Sequence, residues 1–303
     1  MKPRGMDGPV DLYLYRPVGF AVAWLLSYTK IRPNDVTMLS MALGAAAGMA
    51  ACSGGAPGFL LCALLLQAAN YLDCADGQLA RLTGRGSPEG RIIDGLGDLV
   101  VNLCIFAGSV VGLVHGGRTL GYALALVAFA GLCKVITNMH YDRAISRYAD
   151  RLCDGEHEGF IDNPEEARAF ARKTRGFNRL IWAVYSVYLR LQTLGAEAYN
   201  KAKAPAPFAT TEEAEAYSRT MLPLLSIWSF VGPSAHALYF LVFAALGHIE
   251  QYFEVCVALA VANGFCLAAE RLVERRSGGQ AAARETVPAQ AVSDDPRARR
   301  REP

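Results

Sequence analysis

Four aspartates fall within 26 residues of one another, between strongly apolar stretches. The segment reads Asp73-Cys-Ala-Asp76-Gly77-Gln-Leu-Ala80-Arg81 and, eight residues on, Gly90-Arg-Ile-Ile-Asp94-Gly-Leu-Gly-Asp98. A carboxylate at bilayer depth costs roughly 2.5–3.5 kcal/mol, and four close together repel one another. Hard divalent cations, which take oxygen ligands, offset that charge. Two such ions about 3.5–4 Å apart commonly serve phosphoryl transfer. The chemistry these residues point to is therefore metal-assisted transfer at the edge of a membrane.

Helices must position them. Residues three and four apart share a helical face, so Asp73, Asp76, Gly77 and Ala80 form one stripe, and Gly90, Asp94 and Asp98 another. The link 82–89 carries two glycines and Pro88, which suits a turn that brings the stripes face to face. Gly77 and Gly90 leave room for a ligand beside the carboxylates. Arg81 suits a phosphate.

Of the 303 residues 52% are hydrophobic and only 19% charged, which favours a membrane protein. A net charge of +2 gives no case for nucleic acid. A spanning helix needs about 20 apolar residues. Six segments are expected to span, at about 36–52, 57–73, 94–114, 120–139, 227–246 and 252–269. A shorter apolar stretch, 18–28, reads as an interfacial helix. The class is all-α, with an N-terminal segment 1–35, helices one to four over 36–140, an interfacial or cytoplasmic insertion 141–220, helices five and six over 221–276 and a disordered tail 277–303.

Lys and Arg concentrate in the N-terminal segment, after the second and fourth spans, and after the last. The positive-inside rule then puts both termini and the aspartates on the cytoplasmic side of the cell membrane. Residues 1–15 hold charges and no apolar core, so no signal peptide is expected there. The chain has eight cysteines and no CxxC pair, and six cysteines lie in apolar runs, which reads as reduced structural thiols. His236 and His248 read as packed or interfacial rather than as ligands.

The pattern Asp-x2-Asp-Gly-x2-Ala-Arg-x8-Gly-x3-Asp-x3-Asp resembles the signature of the CDP-alcohol phosphotransferases, and Asp73, Asp76, Gly77, Ala80, Arg81, Gly90, Asp94 and Asp98 match its fixed positions. Pro33-Asn34-Asp35-Val36-Thr37 is similar to that family's Pro-Asn-x-x-Thr approach to the first span. The resemblance implies two Mg²⁺ or Mn²⁺ ions, with Asp73, Asp76 and Asp94 as ligands. Asp98 would ligate or border one ion and take the acceptor's proton. It also implies a CDP-linked donor near Asn34, Thr37, Gly77, Ala80, Arg81, Ser87 and Gly90, and release of CMP. Arg143 resembles part of a basic pocket for a phosphorylated acceptor, with positive-inside anchoring as the other reading of Arg143 and Arg147. A homodimer is implied by the likeness alone.

CDP-diacylglycerol with a small polar alcohol is the expected pair, in phospholipid synthesis. CDP-inositol with an inositol phosphate, and a CDP-aminoalcohol with diacylglycerol, are the alternatives. An intramembrane prenyltransferase would carry two distant Asp-rich motifs, and a divalent-cation transporter would tend to show repeats. Neither pattern is present.

Overall fold

The structure, a computed structural model, describes residues 7–86, 88–152, 164–174 and 210–285, with a few positions between 176 and 208. The described residues are helical throughout and contain no strand. Six stretches are long and apolar enough to cross a membrane: Pro33–Cys52, Gly55–Thr83, Ile92–His115, Leu120–Ala149, Thr211–Ala245 and Ile249–Glu274. The protein is an all-α membrane protein.

A π-helical turn at Asp11–Tyr15 leads into α1, Arg16–Ser27. Helix α2, Pro33–Cys52, starts on Pro33, whose missing N–H is harmless in a first turn. The Asp35 carboxylate accepts the Arg32 N–H at 2.9 Å, so Asp35 rather than Asn34 or Thr37 satisfies this helix start. Gly54 and Gly55, at φ 69° and 64°, turn the chain into α3, Gly55–Thr83. Helix α3 ends at Gly84, φ 66°, whose N–H returns to the Ala80 carbonyl in a left-handed cap. Pro88 then opens α4, Pro88–His115.

Helix α5 runs Leu120–Leu152 and α6 Pro164–Lys173. Helices α7, Thr211–Trp228, and α8, Pro233–Ala245, precede α9, Ile249–Glu285.

The element bounds differ from expectation in places. Helix α3 runs beyond the expected span end at Asp73, unbroken to Thr83, and carries the aspartate stripe on a helix as its spacing requires. The fifth span, expected as one helix over 227–246, is broken. A 3-10 turn at Ser229–Val231 and extended Gly232 precede Pro233, which has no N–H to continue a helix. The 13 residues of α8 rise only about 20 Å, short of a hydrocarbon core of about 30 Å, so α7 must complete the crossing. Within the stretch 141–220, expected as an insertion, α5 continues to Leu152 and α7 begins at Thr211. Helix α9 reaches Glu285, so the first nine residues of the expected tail are helical. Most of the apolar run 180–194 lies outside the described residues.

The membrane core is built from small side chains and close backbones. Gly44, Gly48 and Ala51 of α2 face Val101, Cys104, Gly108 and Gly112 of α4. A Cβ on Gly48 would come 2.5 Å from the Cys104 carbonyl oxygen, and one on Gly108 would run into the Gly48 carbonyl. Such small-residue stripes let helix backbones approach where no hydrophobic force between helices exists. Gly48→Val is therefore expected to prevent assembly of α2 on α4. It would be read as loss of the monodisperse peak on size exclusion in detergent; a normal peak with an unchanged melting temperature would refute this packing role.

Below the core, extensions of α5, α7 and α9 form a second cluster with Tyr141, Tyr148, Tyr217, Met221, Leu225 and Trp228 buried. Arg147 pairs with Glu270 at 2.5 Å and Arg151 with Glu274 at 2.7 Å. Tyr217 donates to Glu274 at 2.6 Å. These pairs tie the basic face of α5 to the end of α9.

Candidate active site

Helix α3 carries Asp73, Asp76, Gly77, Ala80 and Arg81 on successive turns, and α4 carries Gly90, Asp94 and Asp98. One carboxylate oxygen from each of Asp73, Asp76 and Asp94 lies within 4.8 Å of the other two. The Asp73 and Asp94 carboxylates thus approach each other directly across α3 and α4. Asp76 is buried, and its Oδ2 accepts a 2.5 Å hydrogen bond from Thr37 Oγ1. Asp94 Oδ1 is buried and has no hydrogen-bond partner. A buried carboxylate oxygen left unpaired is costly, and its neighbours here are further carboxylates. A set of hard oxygens this close, one of them unpaired, fits a divalent cation, which would take the place of the missing donors.

Asp98 stands one turn beyond Asp94, outside the group of three, and is exposed. Asn102, a turn further, donates its amide to the Asp98 backbone carbonyl at 2.7 Å. Asn102 Oδ1 in turn accepts from Lys134 Nζ of α5 at 2.8 Å.

The expected nucleotide residues are placed as follows. Gly77 has open space beside it: an added Cβ would meet only the Arg81 guanidinium nitrogens, at 3.6 and 3.9 Å. Arg81 is exposed, and Ala80 and Gly90 are half-buried. Asn34 is exposed on the same face of α2 as Thr37. Ser87 lies outside the described residues. Arg143 is half-buried one turn before Arg147. Arg147 is already matched by Glu270, so the two arginines do not form an open pair.

Several positioning contacts escaped the sequence reading. Thr37 orients Asp76 from α2. Its loss as Thr37→Val is expected to weaken Mn²⁺ binding about tenfold, the size usual for a residue behind a ligand. Electron paramagnetic resonance of free Mn²⁺ would measure it, and unchanged affinity would contradict the assignment. Helix α1 crosses α3 directly behind the motif: a Cβ on Gly19 would lie 3.0 Å from Cys74 Sγ and from Gln78 Nε2. Tyr15 donates to Gln67 at 2.6 Å, and Gln67 donates to the Ala237 carbonyl at 2.8 Å, joining the N-terminal turn, α3 and α8. Burial pushes the Tyr15 phenol up to about 12, so it stays a donor at ordinary pH. Tyr15→Phe is expected to cost about 1 kcal/mol, seen as a melting temperature a few degrees lower; no shift would show that the bond contributes nothing.

His236 is buried between Tyr239 and Tyr252, and His248 is exposed. The seven cysteines among the described residues are free. His140, by contrast, joins a chain in which Trp228 donates to Asn263 and Asn263 contacts His140 Nδ1, both at 2.9 Å.

The family profile described as CDP-alcohol phosphatidyltransferase matches residues 30–149, which contain α2, α3, α4 and the whole aspartate group. The match covers about 40% of the chain, and within it the chain is similar to this family. A bifunctional IPC transferase and DIPP synthase from Rubrobacter xylanophilus is 32% identical to it over 154 residues, covering 49% of this chain and 33% of the relative. The chain thus spans about a third of the length of that curated relative. The family is divalent-metal dependent, and the aspartate group is suited to hold a metal.

Proposed function

We propose that this protein is a CDP-alcohol phosphotransferase, which moves a substituted phosphate from a CDP-alcohol to an acceptor hydroxyl and releases CMP. The observation that carries this reading is the group formed by Asp73, Asp76 and Asp94, whose ligand oxygens converge within 4.8 Å beside an open Gly77. The donor's diphosphate is held against that group, with Arg81 at its outer side. Divalent cations, when bound, neutralise the diphosphate and improve CMP as a leaving group. Asp98, exposed and apart from the three ligands, takes the hydroxyl proton. A bond forms between the acceptor oxygen and the phosphorus distal to cytidine, and the bond from that phosphorus to the bridging oxygen breaks. The proton leaves on Asp98 and the electron pair leaves with CMP.

The ions are two, Mg²⁺ or Mn²⁺, and the site faces the cytoplasm. The Lys and Arg distribution supports that orientation. CDP-diacylglycerol is the proposed donor. Helix α1, which crosses behind the motif, exposes Phe20, Trp24 and Leu25, an apolar face suited to the membrane surface from which a lipid donor would arrive. CDP-inositol is the second reading, favoured by the Rubrobacter relative named as an IPC transferase and DIPP synthase.

Purified protein supplied with Mg²⁺ and either CDP-diacylglycerol or CDP-inositol, against a panel of alcohols and alcohol phosphates, separates the two. CMP release with the lipid donor supports the first reading. Release with CDP-inositol alone moves the enzyme to the second. Release with neither donor overturns both.

A further inference from the structure

Lys134 is an ammonium inside an apolar helix. Its neighbours Leu132, Val135 and Ile136 are exposed apolar side chains of the spanning part of α5. Charge inside a spanning segment is costly and marks function by default. Lys134 turns toward α4, where Nζ donates to Asn102 Oδ1 at 2.8 Å and lies 5.7 Å from the centre of the Phe106 ring. Asn102 cannot swing freely, because its amide is used on the Asp98 backbone carbonyl. The contact therefore runs from α5 through one side chain to the turn that carries Asp98. Cys256, Asp98 and His236 lie within electrostatic reach of Lys134, and Asp98 is the carboxylate among them.

We propose that Lys134 is a positioning residue for Asp98. Through Asn102 it fixes the turn of α4 from which Asp98 reaches the acceptor, and it sets one positive charge on the membrane side of that carboxylate. The proposal rests on the reading of Asp98 as the proton acceptor. A displacement near 1 Å at a reacting group can cost about a hundredfold in rate, so one contact of this kind controls turnover without touching substrate.

The test compares wild type with Lys134→Met, Lys134→Arg and Asn102→Leu in one detergent. CMP release is measured over a range of donor, and CDP binding in the presence of Mg²⁺ is measured by calorimetry as a readout independent of turnover. Lys134→Met is expected to lower kcat by about 10- to 100-fold, with KM for the donor and CDP affinity within about twofold of wild type. Lys134→Arg is expected to restore most of the rate, and Asn102→Leu to reproduce the loss. Combining Lys134→Met with Asn102→Leu should add nothing further, as for residues acting in one unit.

The proposal is overturned if Lys134→Met keeps kcat within about twofold, or if CDP affinity falls in step with kcat, which would mark a general folding role. It is equally overturned if arginine restores nothing while CDP still binds. Wild-type protein that binds CDP but releases no CMP from either donor would instead strike the reaction reading.

Discussion

Asp76→Asn is expected to lower CMP release by about 10³-fold or more, which corresponds to roughly 4 kcal/mol of barrier. Asp76 is the most enclosed of the three converging carboxylates. It is 5% exposed, held by Thr37, and within 4.8 Å of ligand oxygens from Asp73 and Asp94. An asparagine keeps the shape but loses the charge that a hard cation needs. The same variant gives a second readout. A ligand that binds only the folded state raises stability by about 2.7 kcal/mol at a hundred times its Kd. Wild type should therefore melt at a higher temperature with Mn²⁺ than with EDTA, and Asp76→Asn should show little or none of that rise. Removing one of several crowded carboxylates also relieves repulsion, so in EDTA the variant should melt no lower than wild type. A variant that stays active, or that keeps the full Mn²⁺ shift, would remove Asp76 from the site.

Asp98→Asn should behave differently. A positioned general base contributes about 10²–10⁴-fold, so kcat should fall within that range. Asp98 is exposed and stands apart from the three ligands, so the Mn²⁺ shift and CDP affinity should survive. This contrast between two aspartates on facing helices distinguishes a site with divided roles from a uniform cage of four ligands. Equal loss of metal binding in both variants would favour the uniform cage.

The aspartate pair on each helix was legible because its spacing is local: three and four residues apart place side chains on one face whatever the tertiary structure. The small-residue link 82–89 likewise announced the return of the chain, and Gly84 supplies the left-handed cap. Contacts between distant segments were not legible in the same way. Thr37 and Asp76 are 39 residues apart, and nothing in either neighbourhood names the other. The same holds for Lys134 and Asn102, although a lysine within an apolar run marks itself as exceptional. Two further signals lie in the sequence itself. Gly232-Pro233 breaks the fifth span for a purely local reason. Glu270 and Glu274 repeat at the helical spacing of Arg147 and Arg151, which links α9 to α5 through the continuation of α5 to Leu152.

Hydropathy located the spans but not their ends. The ends here are set by packing outside the membrane. Helix α5 has 33 residues, about 50 Å of rise, because Tyr141 and Tyr148 continue its buried face beside α7. An apolar-window argument sees only the membrane part of such a helix.

The most direct test of the account follows the atoms. Protein, Mg²⁺, a CDP-alcohol donor and an alcohol acceptor are incubated in ¹⁸O-labelled water, and CMP and the phosphodiester product are analysed by mass spectrometry. Direct attack by the acceptor hydroxyl predicts CMP and product in equal amounts, neither carrying solvent ¹⁸O. Label in CMP or in a released alcohol phosphate would show hydrolysis instead of transfer, and would contradict the reaction assigned to these aspartates.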